Sequence, residues 1–225
     1  MLLSISAITD EADLSDIKQL IENLEWADGR ETAGAVAREV KDNLQARMDL
    51  PSGKQLRDRL YPFIKGNSVL GAAVRPRRFS NLLVSLTADG GHYGAHVDNA
   101  LMGQGTSRMR TDVSFTLFLS AAEEYEGGEL VIHSASGAQS IKGERGQLVL
   151  YPSSSIHEVR PVTDGRRIVC VGWIESLIAD QAQRELLFDL ENLRVSLRRQ
   201  LPPDAIERIT LDKSIANLLR MWSRP

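Results

Sequence analysis

Two histidines and one aspartate have the residue types and spacing of a metal site. His96 and Asp98 stand two positions apart in a segment whose pattern predicts a strand running into a loop. Side chains two apart on a strand project to the same face, so both groups can approach one ion. His157, 59 positions after Asp98, supplies a third candidate ligand. Two histidines and a carboxylate on one face of a metal, with the other positions open, are typical of non-haem Fe(II) oxygenases.

A His-x-Asp pair alone is a weak signal, because such pairs are more often salt-bridged or solvated than metal-bound. Two basic residues after His157, Arg166 and Arg167, strengthen the interpretation. An oxygenase that consumes 2-oxoglutarate needs a fixed cation for the distal carboxylate, and the planar fork of arginine can hold a carboxylate with two hydrogen bonds. Three candidate ligands followed by an arginine therefore favour a metal-dependent oxygenase.

Composition sets limits on the other classes of function. The 225 residues are enough for one large domain or for one domain with extensions. The net charge of −3 gives no basic footprint for nucleic acid, and no apolar run approaches the length of a membrane span. Cys170 is the single cysteine, which fits a reducing compartment and predicts a cytoplasmic location. The apolar residues 1–8 lack a basic region and predict a first strand rather than a signal peptide.

The N-terminal part of the chain has the periodicity of helices. Three helices are predicted, over residues 10–25, over 34–48, and from Pro51 to about Tyr61. Asp13 and Ser15 are candidate start signals for the first, and residues 26–30 break it. None of these helices holds a cluster of ligand residues, so their predicted role is to pack against a sheet.

From about Val69 the pattern changes to short strands with Gly-rich turns. The strands are predicted at residues 77–86, 92–98, 112–119, 130–133, 140–142, 147–151 and 166–174. This density indicates a sandwich or barrel, and a double-sheet jelly roll fits best because it leaves an open-mouthed cavity between its sheets. Residues 101–110 are predicted to form a mobile loop beside the metal and are a candidate lid.

The predicted fold class is α+β, with a double-stranded β-helix (jelly roll) core and helices on both sides of it in sequence. The predicted regions are an N-terminal helical support region (1–66), the core (67–176) and a C-terminal helical extension (177–225). In the extension, leucines recur at helical spacing, Pro202 and Pro203 interrupt the run, and a last helix is predicted over 206–222. Its apolar surface exceeds what a sandwich edge needs, which predicts a homo-oligomer, most simply a dimer.

Seven segments carry a resemblance to a known family, at residues 26–34, 93–100, 116–120, 127–132, 150–157, 160–167 and 218–222. They resemble the Fe(II)/2-oxoglutarate dioxygenases, and within them the bacterial PKHD-type hydroxylases related to prolyl 4-hydroxylases. The resemblance covers nearly the whole chain, and its most specific segment is Leu-Tyr-Pro-Ser-Ser-Ser-Ile-His at 150–157.

The resemblance implies a reaction and a set of site residues. Fe(II) is expected on His96, Asp98 and His157, and Arg167 is expected to bind the far carboxylate of 2-oxoglutarate, with no catalytic residue beyond the metal ligands. O2 and 2-oxoglutarate are the implied cosubstrates, succinate and CO2 the implied products, and L-ascorbate a candidate reductant. The hydroxylated molecule is unidentified, and the family favours a peptidyl or siderophore-related substrate.

One position departs from the family pattern. Related hydroxylases often carry a tyrosine nine or ten residues before the first histidine, facing the cosubstrate. Here those positions hold Thr87 and Leu86, while Tyr93 remains close to His96. The cosubstrate pocket is therefore expected to be completed differently.

The choice between the two adjacent arginines stays open on periodicity alone. Arg166 and Arg167 face opposite ways on a strand, and both faces of that strand are apolar. The resemblance favours Arg167, which is expected on the same face of the strand as Trp173.

Two other classes of protein remain: a cupin-type metalloenzyme that uses no 2-oxoglutarate, and a non-catalytic ligand-binding jelly roll. The first leaves the arginine unexplained, and the second leaves the three candidate ligands without a purpose.

Several further polar residues have an ordinary structural interpretation. His133 is predicted to be a surface or packing histidine, Arg108 and Arg110 to lie in a solvated loop, and Cys170 to be a small core residue. His92 shares the strand parity of His96, so a supporting contact at the site is the alternative to a surface position.

Overall fold

A computed structural model of the protein describes residues 1–32 and 38–224. Within them five α-helices are formed: α1 (Glu11–Glu22), α2 (Pro51–Lys65), α3 (Ser68–Val74), α4 (Gln181–Gln200) and α5 (Ile206–Trp222). None of the helices in this described part of the chain has the length and apolar character needed to cross a bilayer. The strands form antiparallel sheets, so the protein is a mixed helix and sheet structure.

Eight strands of the described chain form one sheet, which we call the major sheet. Seven of them follow in the spatial order β1 (Leu3–Ser6), β14 (Gln147–Pro152), β10 (Val113–Phe118), β17 (Arg167–Ser176), β6 (Leu83–Thr87), β4 (Leu44–Ala46) and β2 (Trp26–Asp28). The eighth, β5 (Pro76–Phe79), pairs with β17 beside this path. Helices α1, α2 and α3 cover the outer face of this sheet and bury a single apolar core that includes Leu14, Ile17, Leu56, Leu60, Leu70, Leu117 and Cys170.

A second sheet of five strands, the minor sheet, lies against the inner face of the major sheet. Its spatial order is β13 (Gly137–Ile141), β12 (Leu130–Ser134), β15 (His157–Val159), β7 (His92–His96) and β3 (Lys41–Asp42). Side chains of both sheets pack together on one side, where Leu130 and Ile132 meet Phe118, Val149 and Tyr151. On the other side the sheets separate and leave a cavity.

Two short ribbons complete the strands of the described residues. They pair β8 (Leu101–Met102) with β9 (Met109–Arg110), and β11 (Tyr125–Gly127) with β16 (Val162–Gly165). Residues 101–110, predicted to be a loop, therefore begin and end in a paired hairpin, with Leu101 opposite Arg110.

The helix predicted over residues 34–48 is wrong over its second half. Residues 33–37 lie outside the described residues, but Lys41–Asp42 and Leu44–Ala46 are strands β3 and β4. Leu44 pairs with Leu86 of β6, and Ala46 pairs with Trp26 of β2. The open edge of β6 thus supplies backbone partners that outweigh the local preference for helix. The segment 41–46 also passes from the minor sheet to the major sheet.

One additional helix and the N-terminal cap of α1 also differ from the prediction. Residues 68–74, where strands were expected to begin, form α3, whose first turn is capped because Asn67 Oδ1 accepts a hydrogen bond of 3.0 Å from the Leu70 N–H. Helix α1 is confirmed, but its cap is Asp10 rather than Asp13 or Ser15. In both cases the signal is a side chain one residue before the helix, as capping chemistry requires.

The C-terminal helices α4 and α5 pack on each other, and α4 also packs on α3. Leu187 and Ile215 pack together between them with Ile178. The pair is tied to the core because Arg184 Nη1 donates hydrogen bonds of 2.8 and 2.9 Å to the carbonyls of Ile178 and Ala179. The helices predicted after residue 176 are thus confirmed, with bounds of 181–200 and 206–222.

Candidate functional site

The predicted metal ligands lie together at one end of the cavity. His96 ends β7, His157 begins β15, and the two are cross-strand partners. Asp98 follows β7 by two residues, and the candidate ligand atoms of all three side chains lie within 4.8 Å of one another. Asp98 Oδ2 is 3.8 Å from His157 Nε2, and the imidazole centroids are 4.3 Å apart. We call these three residues the triad.

The backbone fixes the orientation of both imidazoles in the same way. His96 Nδ1 lies 2.7 Å from the Gly94 carbonyl, and His157 Nδ1 lies 3.0 Å from the Ser155 carbonyl. A carbonyl can only accept, so Nδ1 carries the proton in each ring and Nε2 presents its lone pair to the centre of the triad. Burial, and next the closeness of the second imidazole of His157, lower the pKa of His96 below its usual value, so this imidazole is neutral at pH 7 and ready to bind a metal.

Two serines that were not predicted from the sequence form a chain of hydrogen bonds to the carboxylate of Asp98. Ser114 Oγ donates a hydrogen bond of 2.5 Å to Asp98 Oδ2, and lies 2.7 Å from Ser153 Oγ. Ser114 belongs to β10 of the major sheet, so this chain of hydrogen bonds joins the two sheets across the site. Ser153 lies within the Leu-Tyr-Pro-Ser-Ser-Ser-Ile-His segment, which was the available signal for it.

Tyrosine rings pack against both histidines. The ring of Tyr93 stacks on His96 with a centroid separation of 3.7 Å and an angle of 16°, and Tyr151 meets His157 edge-on at 5.0 Å. Burial, and next the charge of Asp98, raise the pKa of Tyr93 to about 12, and burial also raises the pKa of Tyr151. Both phenols are therefore neutral at pH 7 and act as walls of the site.

The triad opens into a cavity of about 120 Å³ between the sheets. One water needs at least ~10–15 Å³ on this scale, so the space takes on the order of ten water-sized groups, enough for a small organic acid. Val97, which is 49% exposed, lines the cavity at its mouth. Thr87, one of the two residues at which the family pattern places a tyrosine, is buried and also lines the cavity.

Arg167 lies in the wall of the cavity and Arg166 does not. Arg167 is 2% exposed, and the other lining residues of β17 include Val169, Val171 and Trp173, which share its parity. Arg166 is exposed, so the face of the strand that carries Arg167 points into the cavity and the face that carries Arg166 points away from it. The Arg167 guanidinium lies 5.4 Å from the ring of Phe118.

The buried guanidinium is incompletely paired within the described chain. Nε and Nη2 of Arg167 make no hydrogen bond of normal length and angle there. Burial lowers the pKa of Arg167, while the nearby Tyr125 and Tyr151 favour its charged form. A buried arginine with unused donors is costly unless a carboxylate or similar group binds to it.

The other polar residues have structural positions. His133, with a side chain that is 40% exposed, lies 3.6 Å from Glu158, and Cys170 is buried in the core as predicted. His92 pairs with Asp42 across β7 and β3. The solvated position predicted for Arg110 is wrong, because this residue binds Asp112 through hydrogen bonds of 2.6 and 2.8 Å and is partly buried.

Comparisons of the sequence identify relatives over its whole length. The 2OG-Fe(II) oxygenase superfamily model matches residues 82–175, and the model of the PKHD-type hydroxylase C-terminal domain matches residues 181–224. A PKHD-type hydroxylase of Hyphomonas neptunium is 46% identical over 222 residues, which are 99% of each chain. Another from Synechococcus elongatus is 45% identical over 223 residues, 99% of this chain and 100% of that one.

Solved structures share the fold at low sequence identity. HygX from Streptomyces hygroscopicus with nickel and 2-oxoglutarate bound superposes with a TM-score of 0.56 at 13% identity, covering 79% of this chain and 84% of that one. A prolyl hydroxylase from Trichoplax adhaerens gives 0.54 at 16% identity, covering 82% and 86%. The relatives of 46% and 45% identity and the two family models show that the chain belongs to the PKHD-type hydroxylases of the 2OG-Fe(II) oxygenase superfamily.

Proposed function

We propose that the protein binds Fe(II) and 2-oxoglutarate and hydroxylates a C–H bond of an organic substrate, with release of succinate and CO2. The observation that carries this proposal is the convergence of two imidazole Nε2 atoms and one carboxylate at the end of an enclosed cavity. This donor set fits ferrous iron, and three ligands on one face leave positions for a cosubstrate and O2. We further propose that the two sheets form a double-stranded β-helix.

The chain's own residues would hold the metal in a fixed geometry. The carbonyls of Gly94 and Ser155 fix the two imidazoles, and Ser114 fixes the carboxylate. Bound iron would supply the activation of O2, for which no side chain has the electrons. The protein's share of the work is to orient the reactants and to exclude water from the cavity.

Arg167 is proposed to bind the distal carboxylate of 2-oxoglutarate. It is the buried cation of β17, it lines the same cavity as the triad, and two of its nitrogens are without a partner in the described chain. Thr87 and Leu86 stand at the two positions where the family pattern places a tyrosine, so another group of the cavity would complete the cosubstrate pocket. HygX, a fold neighbour, is described with nickel and 2-oxoglutarate bound, which supports the binding of a metal ion together with 2-oxoglutarate here.

The substrate is proposed to be a peptidyl or siderophore-related molecule, with L-ascorbate as a candidate reductant and the cytoplasm as the location. A cupin-type enzyme without 2-oxoglutarate and a non-catalytic binding protein are the competing functions. The buried Arg167 favours 2-oxoglutarate use over a cupin-type enzyme, which leaves this cation without an anion, and the triad argues against a non-catalytic binding protein, in which it would have no purpose.

The test begins without oxygen. The apoprotein is titrated with Fe(II) or Mn(II), then with 2-oxoglutarate, and binding is measured by calorimetry. We expect one metal per chain and 2-oxoglutarate affinity that depends on the metal. Oxygen is then admitted and succinate is measured with peptide, siderophore and cell-extract fractions. Metal binding without any succinate would favour the cupin-type function, and no metal binding would favour the non-catalytic one.

A further inference from the structure

A buried serine stands behind the carboxylate of the triad. Ser153 follows the last residue of β14, is 2% exposed, and is not among the described residues that line the cavity. Its hydroxyl oxygen lies 2.7 Å from that of Ser114, which does line the cavity and donates a hydrogen bond to Asp98 Oδ2. Any influence of the Ser153 hydroxyl on a ligand in the cavity therefore passes through Ser114.

The protons available to the two hydroxyls give this chain of hydrogen bonds one direction. A hydroxyl carries a single proton, and an ionised carboxylate can only accept. A carboxylate that binds a metal is ionised, so the proton of Ser114 goes to Asp98 Oδ2, at 2.5 Å. The contact of 2.7 Å between the two serines is then a hydrogen bond that Ser153 donates and Ser114 accepts.

This direction strengthens the bond to the carboxylate. Ser114 Oγ is the hydrogen-bond partner of the Ser153 hydroxyl within the described chain. The oxygen of Ser114 thus accepts one hydrogen bond while it donates another, and linked hydrogen bonds of this kind polarise one another. The bond from Ser153 also keeps the Ser114 hydroxyl from rotating, because rotation would break both bonds of the chain.

The backbone around Ser153 connects two members of the triad. The N–H of Ser153 donates a hydrogen bond of 3.3 Å to the Asp112 carbonyl, which extends the pairing of β14 with β10 by one residue. Two residues later, the Ser155 carbonyl lies 3.0 Å from His157 Nδ1. One short turn thus reaches His157 through a carbonyl and Asp98 through a side chain.

We propose that Ser153 is a positioning residue of the metal site, which donates a hydrogen bond to Ser114 and so fixes the proton that orients the Asp98 carboxylate. The inference rests on the proposed function and adds a residue that touches neither metal nor cosubstrate. The turn of residues 153–157 then sets the position of Asp98 relative to His157, and a change at Ser153 alters metal binding from a distance.

The test is a double-mutant cycle on the affinity for Mn(II). The full-length protein, Ser153→Ala, Ser114→Ala and the double variant are titrated with Mn(II) without oxygen, and the Kd is measured by calorimetry. We expect Ser153→Ala to raise the Kd about 2- to 12-fold, the range for a neutral hydrogen bond, and no more than Ser114→Ala does. In the Ser114→Ala background the same change should have no effect, because Ser153 acts through Ser114.

A spectroscopic measurement separates positioning from packing. The visible absorption of bound Co(II) depends on the geometry of its ligands, so it should shift in Ser153→Ala and shift no further in the double variant than in Ser114→Ala. Ser154→Ala is the matched control, because Ser154 is the exposed neighbour in the same turn, and it should bind Mn(II) as the wild type does. Ser153→Cys, which has a weak donor in place of the hydroxyl, repeats the cycle if Ser153→Ala folds poorly.

Each failure has its own meaning. An unchanged Kd in Ser153→Ala would overturn the inference. An equal rise in the Ser114→Ala background would also overturn it, because Ser153 would then act through the packing of the turn. Failure of the wild-type protein to bind Mn(II) would instead remove the proposed function.

Discussion

Replacing Arg167 with methionine should separate cosubstrate binding from metal binding. Methionine fills a similar volume, so the change removes the charge and the donors without opening a large cavity. A hydrogen bond to a charged group contributes roughly 1.5–3 kcal/mol, which corresponds to a rise of about 10- to 150-fold in the Kd for 2-oxoglutarate. Metal binding should be nearly unchanged, because the triad does not include this residue.

The same substitution should not weaken the protein without ligands. Arg167 is 2% exposed, and two of its nitrogens lack partners in the described chain, so its charge is costly until a carboxylate arrives. We therefore expect the free energy of unfolding of the Arg167→Met apoprotein to equal or exceed that of the wild type. A loss of affinity joined to unchanged or higher stability is a signature that a merely misfolded variant cannot give.

The assay is denaturant unfolding of the Mn(II)-loaded protein with and without 2-oxoglutarate. A ligand at about 100 times its Kd stabilises the folded state by about 2.7 kcal/mol, and this increment should fall steeply in Arg167→Met. Arg166→Met is the matched control, since Arg166 is exposed on the opposite face of the strand. An undiminished increment in Arg167→Met, or a loss confined to Arg166→Met, would refute the reasoning.

Four further predictions concern the triad, its support, the cavity wall and assembly. Alanine at any triad position should abolish metal-dependent succinate release and weaken Mn(II) binding in calorimetry, with unfolding still cooperative. Ser114→Ala should weaken Mn(II) binding roughly 10-fold or more, since groups that orient a ligand typically contribute that much. The pKa of Lys41 is lowered from 10.5 to about 8, so the unfolded chain binds more protons between these values and stability should rise with pH there. Urea unfolding should show this rise in the wild type and not in Lys41→Met. Light scattering should give a homo-oligomer at micromolar concentration, because Leu193 and Ile206 of the C-terminal helices are 47% and 67% exposed; a monomer would contradict this prediction.

The nearness of two triad residues could be predicted from the sequence, because His96 and Asp98 are two positions apart. Strand β7 ends at His96, so Asp98 reaches the same place from the loop that follows rather than by strand parity. The pairing of His96 with His157 could not be obtained in this way, because it depends on register between distant strands. The resemblance to a family supplied that contact, and the structure places the three side chains together.

The cavity wall could not be predicted, because its sequence is compatible with two structures. Residues 41–46 contain lysine, leucine, glutamine and alanine, which favour helices. The segment becomes strand because β7 pairs with residues 41–42, and β6 and β2 pair with residues 44–46. That error hid the alternate residues Lys41, Asn43 and Gln45, which are visible as one lining face only in strand geometry. Tertiary pairing thus outweighs local preference in one wall of the cavity.

Backbone carbonyls, rather than side chains, orient the two imidazoles of the triad. Each imidazole is held by the carbonyl of the residue two positions earlier, Gly94 for His96 and Ser155 for His157. The partner is the backbone, so the side chain of Ser155 is not needed for this bond. Gly94 is different, since a Cβ there would lie 2.9 Å from Val40 Cβ, while its N–H donates a hydrogen bond of 2.8 Å to the Val40 carbonyl. The close approach of residue 40 thus requires glycine, and that glycine's carbonyl fixes the metal-binding tautomer of His96.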